Sequence, residues 1–176
     1  MRKISYEEFE ELLERHDSFD FCEANLDYYQ RVVLVDKTVY VEDEAEDIAH
    51  VCIFRREVEA EHFFKTLQYL SRVLGQDKTL PTDILEELYR NSDVAEDAVY
   101  LYELFIKALL KETGCEHVWE LGMRSYFDAD TLNAAERIAI IRAKQNPAFF
   151  DSDATYELFE TLKDIMPFLK VWEVEA

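Results

Sequence analysis

The amino-acid sequence predicts a mostly helical α+β domain, with a central helix over residues 93–113 and a small antiparallel sheet near residues 31–55. Apolar residues recur at helical spacing over most of the chain from about residue 57 onwards. Two β-branched and aromatic runs, 31–35 and 38–41, are separated by two residues, which suits a hairpin. An all-helical domain is the alternative, if the 31–55 segment is helical instead.

The first element is a predicted helix from about residue 6 to residue 15. Ser5 is placed to cap it, and Glu8 falls three residues later, where it closes a capping box. Ile4 and Phe9 are spaced as a hydrophobic staple around this start. The helix should therefore pack one apolar side and expose an acidic one.

The next segment changes character twice. Residues 19–29 show a mixed pattern and are predicted as loop with a short helix. The hairpin follows, with Asp36 and Lys37 as its turn. Residues 49–54 are predicted as a third strand, although Val51 and Cys52 also fit a helical stripe.

Five further helices are predicted from their terminal signals. The first of them runs from Glu57 to a glycine cap at Gly75, and Pro81 opens a short second one that ends at about Arg90. Ser92 caps the central helix, which ends at Gly114. Asp128 or Asp130 caps the fourth, which runs to about Gln145, and Ser152 caps the last, which ends at Pro167. Residues 115–127 are ambiguous, with a bend at Gly122, and residues 170–175 are predicted as a short edge strand.

Composition argues for one folded domain over residues 1–176. Nearly half of the residues are apolar and 14% are aromatic, enough for a packed core. The three cysteines are far apart and unpaired in sequence, which favours free thiols in a reducing cytoplasm. Three glycines cannot supply a Gly-rich phosphate loop or a dinucleotide fingerprint. No apolar run reaches the length of a membrane span or of a signal-peptide core.

The few patterns suited to metal or nucleophile chemistry are weak. Glu59 and His62 are three apart on a predicted helix, as in carboxylate-bridged metal sites, and Asp47 and His50 form the nearest second pair. Among 39 acids such a spacing is expected by chance. His16 with Asp17 and Asp20 would suit a loop site for a divalent ion, but three such residues after a helix end are more commonly caps and solvent contacts. Cys115 and His117 would suit a thiolate nucleophile with its base, but residues two apart do not face each other on a helix.

Acid content is the most unusual property, with a formal net charge of −20. One cluster follows the second predicted strand and comprises Glu42, Asp43, Glu44, Glu46 and Asp47. A second cluster lies on the polar side of the first helix and comprises Glu7, Glu10, Glu11 and Glu14. Such a field repels nucleic acid and anionic lipid and attracts basic partners.

We therefore expect a non-enzymatic, cytoplasmic binding protein that inhibits or regulates a basic, nucleic-acid-handling protein such as a nuclease. The acid rows would imitate DNA phosphates, as suits an anti-restriction, anti-CRISPR or nuclease-immunity role, and Tyr28 and Tyr29 would serve as aromatic anchors. No cofactor and no direct contact with nucleic acid or membrane is expected. Three alternatives remain open: an acidic surface that serves solubility alone, a carboxylate-rich metal-dependent enzyme, and an oligomeric scaffold.

Overall fold

The computed structural model describes residues 1–21, 30–75, 79–124 and 126–166 of the chain. Within these ranges the chain forms five β-strands and seven α-helices, which confirms the predicted α+β class. The N-terminal elements are β1 (Arg2–Ser5), α1 (Tyr6–Leu13), β2 (Asp17–Phe21), β3 (Gln30–Val35), β4 (Thr38–Asp43), a 3₁₀ turn (Glu44–Glu46) and β5 (Ile48–Ile53). The remaining helices are α2 (Glu57–Leu74), α3 (Thr82–Arg90), α4 (Ser92–Thr113), α5 (Val118–Gly122), α6 (Ala129–Lys144) and α7 (Asp153–Asp164).

The strands form one antiparallel sheet in the order β1-β5-β4-β3-β2. The predicted β3–β4 hairpin is confirmed: Val35 pairs with Thr38 around a turn in which Asp36 has a φ of 50°. Aspartate tolerates this left-handed backbone better than most residues. The predicted third strand is also confirmed, because β5 pairs with β4 on one side and with β1 on the other. The all-helical alternative is therefore wrong.

Both edge strands differ from the sequence-based expectation. Residues 17–21 form β2, where a loop and short helix from residue 19 were expected, and Phe19 pairs with Val32. Residues 2–5 form β1, which was not predicted. Each strand has only one or two apolar residues, so cross-strand pairing decides its conformation more than its own pattern does. α1 ends at Leu13 instead of residue 15.

The two faces of the sheet carry different layers. On one face, α1 packs Phe9 against Val33 and Ala49 in a small apolar cluster. Val32 and Val41 belong instead to the main core, which continues through the helices. Because successive strand residues point to opposite faces, this alternation places α1 on one side of the sheet and α2 with the helical assembly on the other.

α4 is the central helix, as predicted. It packs against α2, α6 and α7, and most of its apolar residues are buried: Val94, Ala95, Ala98, Val99, Leu101, Tyr102, Leu104, Phe105, Ile106, Ala108 and Leu109. The helix begins at Ser92, so Asn91 and not Ser92 occupies the cap position. Gly114 ends it with a φ of 70°, as its predicted C-terminal glycine.

The other helix boundaries agree closely with their terminal signals. Gly75 is the C-cap of α2, and α3 follows Pro81. Asp128 and Ser152 cap α6 and α7 by accepting backbone hydrogen bonds. The ambiguous segment after residue 114 contains α5, which ends at Gly122. Pro167 and the strand predicted at 170–175 lie outside the described residues. None of the described helices combines the length and apolarity that crossing a membrane requires.

Candidate functional site

Arg31 joins one residue from each predicted acidic cluster. Its backbone N–H and its Nε donate to Glu42 Oε2 at 3.0 and 2.8 Å, and its guanidinium also bonds Glu42 Oε1. The guanidinium lies 2.6 Å from Glu10 Oε1 and donates to the Tyr6 hydroxyl at 2.9 Å. Two strands and α1 therefore converge on one cation.

Glu42 is the clearest correction to the predicted partner-binding set. Only 2% of the residue is exposed, because its strand position turns it under α1 towards Arg31. A buried carboxylate held by a guanidinium cannot also contact a partner at the surface. Its role here is structural, since an unpaired charge at this depth would destabilise the fold.

The surroundings of Arg31 favour the charged states of Arg31 and of Glu10. The rings of Tyr6 and Phe9 lie 5.6 and 5.7 Å from the guanidinium carbon. Hydrogen bonding to Glu42 raises the pKa of Arg31 despite the opposing effect of burial. Hydrogen bonds from Tyr6 and Arg31 lower the pKa of Glu10. Glu10 is thus a half-exposed member of this network and not a free surface acid.

Asp43 is also partly withdrawn from the acidic cluster. Its Oδ2 lies 3.0 Å from His50 Nε2 and accepts a hydrogen bond from the Thr82 hydroxyl at 3.3 Å. This contact ties the end of β4 to β5 and to the start of α3. Asp43 therefore contributes to the junction between the sheet and the helices.

Six of the predicted acids remain exposed, and we call them the acidic surface: Glu7, Glu11, Glu14, Glu44, Glu46 and Asp47. Glu44, Glu46 and Asp47 lie in the turn between β4 and β5. Glu7 and Glu11 lie on α1, and Glu14 is the C-cap of that helix. The pairing of Ser5 with Ile48 starts α1 directly beside that turn. The register of the sheet thus brings the start of α1, with Glu7, close to the turn cluster, whereas Glu14 precedes β2, where Asp17 pairs with Leu34 at the other end of the strands.

Few cations lie close to the carboxylates of the acidic surface. The Lys3 ammonium lies 2.6 Å from Glu46. Among the ion pairs of the described ranges, no lysine or arginine nitrogen lies within 4.0 Å of the other five carboxylates. Tyr28 and Tyr29, the predicted aromatic anchors, lie outside the described residues.

The structure separates the predicted metal pairs. Glu59 accepts hydrogen bonds from its own helix start at Arg56, whereas His62 Nδ1 lies 3.1 Å from Glu96 on α4. His50 lies on β5, where it contacts Asp43 and not Asp47. No three His, Cys, Asp or Glu residues are grouped to hold a metal ion in the part of the chain that the structure describes.

The two remaining polar groupings are dispersed as well. Asp17 and Asp20 are exposed residues of β2, and His16 precedes that strand. Cys115 Sγ accepts a contact from Arg124 Nε at 3.4 Å, whereas the ring of His117 stacks on Trp119 at 6.2 Å. The Cys115 thiol thus contacts Arg124, and the His117 ring contacts Trp119.

The structure also contains a cleft that no local sequence pattern indicated. It has a volume of about 580 Å³ and lies between α2, α4 and the segment after α6. His62 and Tyr69 line it from α2, Asp97 and Tyr100 from α4, and Asn146 from the connecting segment. These residues are too distant in sequence to form a motif, so only the packing of α2 against α4 reveals them.

No protein-family model, curated protein or solved structure matches the chain.

Proposed function

We propose that this chain is a non-enzymatic binding protein that uses its acidic surface to occupy the basic, nucleic-acid-binding region of another protein. One observation carries the proposal: the exposed carboxylates of the β4–β5 turn lie beside the start of α1, which carries Glu7, and among the described residues Lys3 is the cation paired to the acidic surface. A partner rich in arginine and lysine supplies the charges that this surface lacks.

The charge arrangement is costly for the isolated protein. Glu7 lies four residues before Glu11, which lies three residues before Glu14. Like charges at these spacings destabilise a helix by about 0.2–0.5 kcal/mol per pair. Binding to a basic surface removes this repulsion, releases the partner's bound counterions and becomes weaker as salt is added.

The scaffold beneath the surface favours binding without prior ordering. Arg31 anchors α1 to the sheet through Glu10 and Glu42, and Ser5 and Glu8 close the capping box at the helix start. A surface that is already ordered loses little conformational entropy on association. The phosphates of a nucleic-acid duplex are likewise ordered before binding, because the duplex that spaces them is stiff.

The first experiment is retention of a partner from nuclease-treated host lysate on the tagged protein, followed by a salt gradient and mass spectrometry. We expect a basic nucleic-acid-binding protein in a stoichiometric amount, eluting at moderate salt. The purified partner should then lose its nucleic acid when this chain is added. Retention of no specific protein would favour the alternative in which the charge serves solubility.

Charge-neutral variants test whether the acidic surface is the contact. The helix variant is Glu7→Gln/Glu11→Gln/Glu14→Gln and the turn variant is Glu44→Gln/Glu46→Gln/Asp47→Asn. The matched control on α7 is Asp153→Asn/Glu157→Gln/Asp164→Asn, which removes three exposed acids, one of them in the first helical turn. We expect each surface variant to weaken partner binding at least about tenfold, since each charge contact contributes about 1 kcal/mol or more. Equal losses in the α7 control would indicate a net-charge effect and contradict the assigned surface.

A further inference from the structure

The cleft between α2 and α4 has the size and chemistry of a small-molecule site. Its volume of about 580 Å³ falls within the range of ligand pockets, roughly 300–1,000 Å³. Tyr69 and Tyr100 line it and are partly buried against the main core, and Tyr100 also packs on Phe149, with ring centroids 6.4 Å apart. Aromatic walls of this kind accept a compact apolar or aromatic body.

The polar groups of the cleft are mainly acidic. Asp97 and Glu96 are consecutive on α4, and both line the cleft. Glu96 is paired with His62 at 3.1 Å, but both side chains are largely exposed, so this contact restrains Glu96 only weakly. Lys65 also lines the cleft, from α2.

Asp97 is a cleft carboxylate without a cationic partner. The backbone N–H of Phe150 favours its charged state, and no lysine or arginine within the described ranges pairs with it. Burial, together with the charge of Glu96, raises the pKa of Asp97 above its ordinary value. A cation placed in the cleft would offset both effects.

From this geometry we infer that the cleft binds a small organic cation, an amine carried on a compact apolar or aromatic body. The ammonium group donates to Asp97, and the body packs between Tyr69 and Tyr100, whose ring faces also attract the positive charge. Asn146 offers a further polar contact at the rim. The acidic surface lies on α1 and the β4–β5 turn, so this site is separate from the proposed partner contact.

Three probes of matched shape test the class of ligand: phenethylamine, the neutral 2-phenylethanol and the anionic 3-phenylpropionate. Binding is followed by NMR chemical-shift changes and by calorimetry at neutral pH. We expect saturable phenethylamine binding with shifts at cleft residues, and affinities at least about tenfold weaker for the other two probes, because a charge-assisted hydrogen bond is lost. Tighter binding of phenylpropionate would assign recognition to Lys65 and overturn the proposal, as would no phenethylamine binding.

Two variants and one control locate the site. Asp97→Asn keeps an oxygen that can accept the Phe150 N–H and should weaken phenethylamine binding at least about tenfold. Ala148→Trp fills the cleft from an exposed position without altering a charge and should abolish binding. Asp93→Asn, an exposed change one turn earlier on α4, should leave affinity unchanged. Wild-type affinity in both Asp97→Asn and Ala148→Trp, with unaltered urea midpoints, would contradict the site.

Discussion

Arg31 and Glu42 form an ion pair beneath α1, between two adjacent strands of the sheet. The pair has a carboxylate that is almost fully buried and a guanidinium held on a second side by Glu10. Removing charges from water is costly, so such a pair favours the fold only while both partners are present. Two of the acids that give the chain its negative charge are thus part of the scaffold.

Replacing Arg31 by methionine should destabilise the protein strongly. The change leaves Glu42 buried without its cation, which costs about 3–5 kcal/mol in comparable sites. Urea denaturation measures the loss in free energy of unfolding. Arg15→Met removes the same charge from an exposed position and should change stability by less than about 0.5 kcal/mol. The double variant Arg31→Met/Glu42→Leu should recover most of the loss; equal effects of Arg31→Met and Arg15→Met would contradict the pairing.

Glu10 should contribute a pH-dependent part of the stability. Hydrogen bonds from Tyr6 and Arg31 lower its pKa in the folded state, so its contribution is fully present above the unfolded-state pKa of about 4.3. That contribution is lost as the pH falls through the lower folded-state pKa. Wild type should therefore be more stable than Glu10→Gln at neutral pH, and the two should converge in acid. A pH-independent gap between their urea midpoints would contradict this assignment.

Two glycines with positive φ should respond differently to alanine. Gly114 has a φ of 70° and open space where a Cβ would lie, so Gly114→Ala should cost about 1 kcal/mol from backbone strain alone. At Gly75 the φ is 75° and a Cβ would approach two Val118 carbons at 3.1 Å. Gly75→Ala should therefore be the more destabilising in thermal unfolding. Adding Val118→Ala should restore part of the Gly75→Ala loss and none of the Gly114→Ala loss.

Cys52 should resist thiol reagents in the folded protein. Burial raises the pKa of its thiol to about 12, so at neutral pH the reactive thiolate is almost absent. Cys115 is only partly buried and should react with an aromatic disulfide reagent. The measurement uses a Cys22→Ser background, which removes the third thiol. One fast equivalent, and a second that appears only with urea, is the expected result; two fast equivalents would be inconsistent with the burial of Cys52.

The helical part of the fold was predictable because its signals are local. Gly75, Gly114, Asp128 and Ser152 each mark a helix end by their own backbone or side-chain chemistry, and all four do so in the structure. β1 and β2 were missed because they are short and largely polar. The conformation of each depends on pairing with another strand: β2 pairs with β3, and β1 pairs with β5, which lies tens of residues later in the chain.

The acidic clusters were visible in sequence, but their division into buried and exposed members was not recognised. The hairpin turn at Asp36 and Lys37 pairs Val35 with Thr38, and counting outward from it places Arg31 opposite Glu42. This was the available signal for the ion pair. The contribution of Glu10 depends on how α1 crosses the sheet, and the cleft depends on the packing of α2 against α4. Neither leaves a short-range pattern.

The position of β1 and β2 has a consequence for the first 21 residues. Among the residues that the structure describes, this segment supplies both outer strands of the sheet, while β3, β4 and β5 form a continuous meander between them. A chain starting at residue 30 would leave two apolar strands with unpaired backbone groups, an arrangement prone to aggregation. The native outer strands carry Arg2 and Lys3 on one side and Asp17 and Asp20 on the other. The two charged outer strands in the N-terminal segment therefore disfavour pairing of this sheet with further chains.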